Sequence, residues 1–155
     1  RPTIEAAVRA ADGALLWAPN FSIGVHLFAR IAAYAARRVT AVDAGFDLHL
    51  IETHHVAKLD APSGTARLIA ERVAESSGRA LPITSVRTGS VPGTHEILFD
   101  APFEQIRLEH VARDRRVFAA GALTAARWIV GKRGVFTLDH LLGTACCPLP
   151  GSPAA

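Results

Sequence analysis

The chain has 155 residues and only two cysteines, which are neighbours, Cys146 and Cys147. Adjacent cysteines rarely pair with one another, and no His or Cys ligand set stands around them at zinc spacing. A disulfide scaffold and a metal centre are therefore not expected, and a cytoplasmic setting fits. No apolar run is long enough to span a bilayer and no secretory leader is read, so no membrane partner is expected. Aromatics make up 6% of the residues, and the basic residues are scattered rather than interleaved with them. The net charge of +3 thus does not read as a nucleic-acid footprint. No Gly-x-Gly-x-x-Gly or other Gly-rich strand-to-helix turn occurs before the first elements. What remains is half hydrophobic and 20% charged, the composition of a globular chain with a core.

Against that background one run stands out, His54-His55-Val56-Ala57-Lys58-Leu59-Asp60-Ala61-Pro62-Ser63-Gly64-Thr65-Ala66. Before it, Phe46, Leu48 and Leu50 alternate with Asp47 and His49, the pattern of a half-buried strand. After it, Ala66, Ile69, Ala70, Val73 and Ala74 recur at helical spacing. Pro62 disfavours helix before it, and Ser63 is a good N-cap. The run is therefore a strand-to-helix loop, with Gly64 and Thr65 in the first helical turn. The N–H groups of such a turn lack internal partners, carry partial positive charge and bind carboxylate or phosphate. His54, His55 and Lys58 can all be cationic and can move protons. Converging on a helix start, they call for an anion. Asp60 reads as a loop carboxylate that fixes the turn or pairs with Lys58, not as a catalyst.

The rest of the chain reads as follows. Ile4, Ala7, Val8 and Ala11 form a helical pattern stopped by Asp12-Gly13, and Ala14 to Trp17 form a short strand. A helix is expected over 22–39 with the apolar stripe Leu27, Phe28, Ile31, Ala32 and Ala35, leaving His26, Arg30 and Arg37 on the other side. A strand near 46–53, a helix over 64–76 closed by Gly78, strands near 83–88, 94–99 and 105–112, and a helix over 119–131 follow. The fold class is α+β, a mixed sheet with flanking helices. The tail from Thr144, rich in Pro and small residues, is expected to be disordered.

The string His-His-x-x-Lys-x-Asp-Ala-Pro-Ser-Gly-Thr-Ala resembles the signature of the dihydrodipicolinate reductases. Other segments agree with it in order: Ala18 to Gly24, Arg87 to His95, Arg115 to Trp128 with Phe118-Ala119-Ala120-Gly121-Ala122 inside it, and Gly134 to Asp139. The resemblance implies NADPH- or NADH-dependent reduction of a small cyclic imine dicarboxylate, with loss of water, by a homotetramer. It assigns acid–base chemistry to His54 and Lys58 and substrate binding to His55, Ser63, Gly64 and Thr65. Ala18, Pro19, Asn20 and Phe21 would meet the nicotinamide end of the cofactor. Residues 1–20 would be the end of a Rossmann-type nucleotide domain, 21–143 a substrate and oligomerisation domain, and 144–155 a tail. On this view the chain is the C-terminal part of a longer reductase, inactive alone. His49 stands where the family usually has a Glu, which would alter a hydrogen bond near the site. His95 and Arg115 lie in family motifs, with structural roles equally open. Two other readings compete: a non-catalytic binding and oligomerisation module, and a hydrolase using Ser63, which lacks a Gly-x-Ser-x-Gly elbow.

Overall fold

A computed structural model describes residues 2–42 and 45–143; the Cys146-Cys147 tail lies outside the described residues. Helix α1 (Pro2–Ala10) leads into strand β1 (Ala14–Leu16), and helix α2 (Ile23–Ala41) follows. Strand β2 (Asp47–His54), helix α3 (Gly64–Ser77) and strand β3 (Ile83–Arg87) form a β-α-β unit. Strands β4 (Thr94–Ala101) and β5 (Glu104–Val111) make a hairpin. Helix α4 (Arg116–Ile129), strand β6 (Gly134–Phe136) and helix α5 (Leu138–Leu142) complete the order.

The main sheet has four strands in the order β3-β2-β4-β5, with β2 and β3 parallel and the other neighbours antiparallel. It is a mixed sheet flanked by helices, as the sequence pattern indicates. A separate parallel pair joins β1 to β6, Ala14 opposite Gly134 and Leu16 opposite Phe136. The segment before Asn20 thus shares its sheet with residues from near the other end of the described chain.

One face of the main sheet carries the core. Leu48 and Leu50 on β2 and Ile97 and Phe99 on β4 meet Ala66, Ile69 and Val73 of α3 and Phe28, Ala29, Ala32 and Ala36 of α2. The expected stripe of α2 is rotated in the structure. Leu27 and Ile31 are exposed, and Val25, His26, Phe28, Ala29, Ala32 and Ala36 are buried. The physical reason is packing distance: the alanines let α2 lie close against α3 and the sheet, and bulk at positions 27 and 31 is turned outward. His26 goes inside because its Nε2 reaches the Asn20 carbonyl at 3.2 Å, and burial lowers its pKa. Helix α4 begins at Arg116, earlier than the alanine-rich stretch suggests, with Asp114 accepting the Arg116 N–H at 2.7 Å.

Gly121 fixes where α4 sits. A Cβ there would lie 1.6 Å from the Phe21 carbonyl oxygen, so only a glycine lets the helix cross the 18–22 segment.

Candidate active site

The apolar stripe of β2 changes character as it runs toward the C-terminal end of the strand. Leu48 and Leu50 are followed on the same face by Glu52 and His54, both buried. Glu52 is fully buried, and its partners explain how a charge survives there. Its Oε1 accepts from Arg87 Nη2 at 2.7 Å and from the Ser63 backbone N–H at 3.3 Å. Its Oε2 lies against Nδ1 of His54. Burial pushes the carboxyl up, but Arg87, Ser85 and His54 outweigh it and hold Glu52 at about 2.

Glu52 thereby joins three elements. Arg87 comes from the parallel neighbour, where His54 is paired with it in register. The same guanidinium donates to the Asp60 carbonyl at 2.6 Å, so it also anchors the loop. Ser63 begins α3 as its N-cap, and its Oγ accepts from the Ala66 N–H at 3.1 Å. The loop and helix start occur where the sequence puts them, with Gly64 as the first helical residue.

His54 differs from the sequence expectation in one respect. It is buried, and desolvation, together with Lys58 and Arg87, lowers its pKa against the pull of Glu52. It is an imidazole rather than a fixed cation at neutral pH. The Glu52 carboxylate accepts the Nδ1–H, so the ring proton stays on Nδ1 and Nε2 keeps its lone pair. Nε2 points at Gly93, where a Cβ would stand 3.1 Å from it; the backbone there has φ +153°. Gly93 therefore leaves room for the ring and supplies a backbone conformation that side chains resist.

Lys58 supplies the charge. Its Nζ lies 2.6 Å from Asp60 Oδ1, the pairing that the sequence suggests for Asp60. Asp60 Oδ2 accepts the Gly64 N–H at 3.3 Å. On the opposite wall Asn20 donates from Nδ2 to Thr65 Oγ1 at 3.2 Å, tying the segment after β1 to the first turn of α3.

These residues enclose a cavity of about 520 Å³ lined by Pro19, Asn20, Phe21, His54, His55, Lys58, Asp60, Ser63, Gly64, Thr65, Pro92, Arg115 and Phe118. All the expected acid–base and substrate residues therefore face one space. Of the four residues expected at the nicotinamide, Ala18 does not: it lines a separate hollow with His26 and Leu138. His49 stands on the opposite face of β2 from Glu52, bonded to Thr84 Oγ1 at 2.8 Å, and does not line the cavity; the carboxylate of this strand that contacts His54 is Glu52. A second cavity, about 390 Å³, lies between α2, α3 and α5 around Arg30, Arg37 and Arg72 and contains none of the expected site residues.

Sequence reasoning missed Glu52 and Arg87 as site residues and left Arg115 and His95 open. Glu52 carried a signal, an acid on the parity of Leu48, Leu50 and His54. His95 sits beside Glu52 on β4, its ring 5.4 Å from that of His54. Among the described residues its two buried ring nitrogens have no hydrogen-bond partner, and burial first, then His54, holds it down to about 4. Glu52, His54 and His95 offer three metal-type ligand atoms within 4.8 Å of one another. Arg87 already neutralises the carboxylate and Lys58 is close, so this set is better suited to handling a proton than to holding a cation.

A family described as "Dihydrodipicolinate reductase, C-terminus" matches residues 24–142. A 4-hydroxy-tetrahydrodipicolinate reductase of Rhodopseudomonas palustris strain BisB5 is 40% identical over 149 residues, covering 81% of this chain and 53% of its own. One from Methanosarcina mazei is 35% identical over 159 residues, covering 92% of this chain and 59% of its own. The chain thus spans somewhat more than half the length of these relatives. Among solved structures, a dipicolinate-bound dihydrodipicolinate reductase from Paenisporosarcina sp. TG-14 superposes with a TM-score of 0.70 at 26% identity, over 88% of this chain and 57% of the other.

Proposed function

The chain belongs to the dihydrodipicolinate reductase family, whose C-terminal part it matches, and from that premise we propose that it binds a cyclic dicarboxylate and protonates it during NAD(P)H-dependent reduction. The observation that carries this reading is the convergence of His54, Lys58, Gly64 and Thr65 with Asn20 and Phe21 on one cavity. The substrate is 4-hydroxy-tetrahydrodipicolinate. It gains a hydride at C4 and a proton at C3, loses water, and yields tetrahydrodipicolinate.

In this reading the N–H groups of Gly64 and Thr65, with His55 and Lys58, hold one substrate carboxylate at the positive end of α3. Ser63 supports them chiefly through its backbone and as the cap, since its hydroxyl is already engaged and buried. Lys58 donates the proton, and His54, held by Glu52 in the tautomer with Nε2 open, takes up and returns protons. A reduced nicotinamide, NADPH or NADH, supplies the hydride when bound. Pro19, Asn20 and Phe21 fit its ring end because they wall the same cavity as His54; the fit reaches no further along a dinucleotide. A homotetramer is part of the same reading. The face of the sheet opposite the helices, with His49, Ile51 and Thr53 on β2, offers a surface for it. So is a cytoplasmic setting; among the described residues no helix is long and apolar enough to cross a membrane.

The test is calorimetric titration of the folded chain with pyridine-2,6-dicarboxylate at low salt. Binding that Lys58→Ala and His54→Ala weaken is expected, together with a lower affinity in added salt. A folded chain that ignores the ligand at low salt and pH 6 would overturn the reading.

A further inference from the structure

Two of the donors assigned to the substrate carboxylate already have a carboxylate partner within the chain. Lys58 Nζ and the Gly64 N–H both point at the side chain of Asp60, one at each carboxylate oxygen, at 2.6 and 3.3 Å. The other group on that carboxylate is the Asp60 backbone N–H, a contact within the same residue. The Asp60 main chain is held independently, because its carbonyl accepts from Arg87. Its side chain is nearly half exposed, so it can leave for water without dragging the loop.

We propose that Asp60 is a resident competitor, a carboxylate that fills the substrate carboxylate's place between Lys58 and Gly64 and is expelled when substrate binds. This rests on the reading of Lys58 and Gly64 as ligands of the substrate. The chemistry follows from what the two groups require. Lys58 and the start of α3 are close together and both positive, and an anion between them relieves their repulsion. Asp60 holds Lys58 beside the first turn of α3. An incoming carboxylate makes the same two contacts, so it takes over the Lys58 orientation rather than creating it. The exchange lowers apparent affinity, since the site is open only in the fraction of molecules whose Asp60 is turned away. It also favours a ligand with a formal negative charge, because a carboxylate restores the charge-assisted contact that Lys58 gives up.

The experiment is titration of the whole chain with pyridine-2,6-dicarboxylate, comparing the native protein with Asp60→Asn and Lys58→Met. Each titration is followed by the backbone amide resonance of Gly64. Asp60→Asn should tighten binding about 3- to 10-fold, the range of one charge-assisted contact removed as competitor, and the gain should persist in about 0.5 M salt, where through-space attraction is screened. In the ligand-free native chain the Gly64 amide should follow the titration of Asp60, which Lys58 holds below its ordinary value. With the ligand saturating, that response should vanish. If Asp60→Asn binds no more tightly while Lys58→Met weakens binding, the competitor is wrong and the substrate site stands. If no folded variant binds at all, the substrate site itself is wrong. A Gly64 amide that is blind to Asp60 in the ligand-free chain also overturns the competitor.

Discussion

Replacing Glu52 by Gln keeps the shape of a fully buried side chain and removes its charge. A carboxyl held at about 2 against an ordinary 4.5 contributes about 3 kcal/mol to the folded state once the pH is above both values. The sign follows from proton counting. Between pH 4.5 and 2 the unfolded chain binds the proton and the folded one does not, so this stability is present above 4.5 and lost as pH falls toward 2. By pH 3.5 about 1.4 kcal/mol of it should be gone. The variant leaves Arg87 without its charged partner, which is the other side of the same interaction and not a second loss. Urea unfolding at pH 6 should therefore show Glu52→Gln less stable by about 3 kcal/mol, with the gap narrowing by about 1.4 kcal/mol at pH 3.5. The amide also presents a donor to His54 Nδ1, which must then accept, so the ring proton moves to Nε2. Imidazole ¹⁵N shifts report that change directly. A variant as stable as the native chain at pH 6, or a gap that does not shrink on acidification, would refute an ionised Glu52 clamped by Arg87. An unchanged tautomer would refute its control of His54.

Gly121→Ala should lower stability by about 3 kcal/mol because its Cβ meets the Phe21 carbonyl; helix propensity alone predicts a gain of about 1 kcal/mol, so the direction of the Tm change decides. His95→Leu should remove a pH dependence. His95 is held at about 4 against 6.5 unfolded, so its contribution is lost as pH falls from 6.5 to 4, by up to about 3 kcal/mol. The native chain should weaken against the variant across that window in urea titrations, and a constant difference would count against a buried neutral ring. Ser63→Ala should cost about 1 kcal/mol through loss of the α3 cap, read by thermal melting, with an affinity for pyridine-2,6-dicarboxylate that falls far less than in Lys58→Ala.

Some of this protein was legible in its residues alone because the signals are local. The parity of Leu48 and Leu50, the proline before the Ser63 cap and the helical spacing after it fix a strand, a loop and a helix start without reference to the rest of the chain. The grouping of His54, His55, Lys58, Gly64 and Thr65 follows from those, since a loop of this length cannot carry them far apart. The face that α2 buries was not legible, because Leu27 and Ile31 are as apolar as what replaced them, and close packing against α3 chose the alanine side. The partners of Glu52 were not legible either. Arg87 reaches it only because β3 lies parallel to β2, and His95 because β4 lies on the other side. The sequence carries the types of group that bind an anion and move a proton. The sheet order decides which are neutral and which charged, because burial and neighbouring charges set protonation, and both are properties of packing in three dimensions.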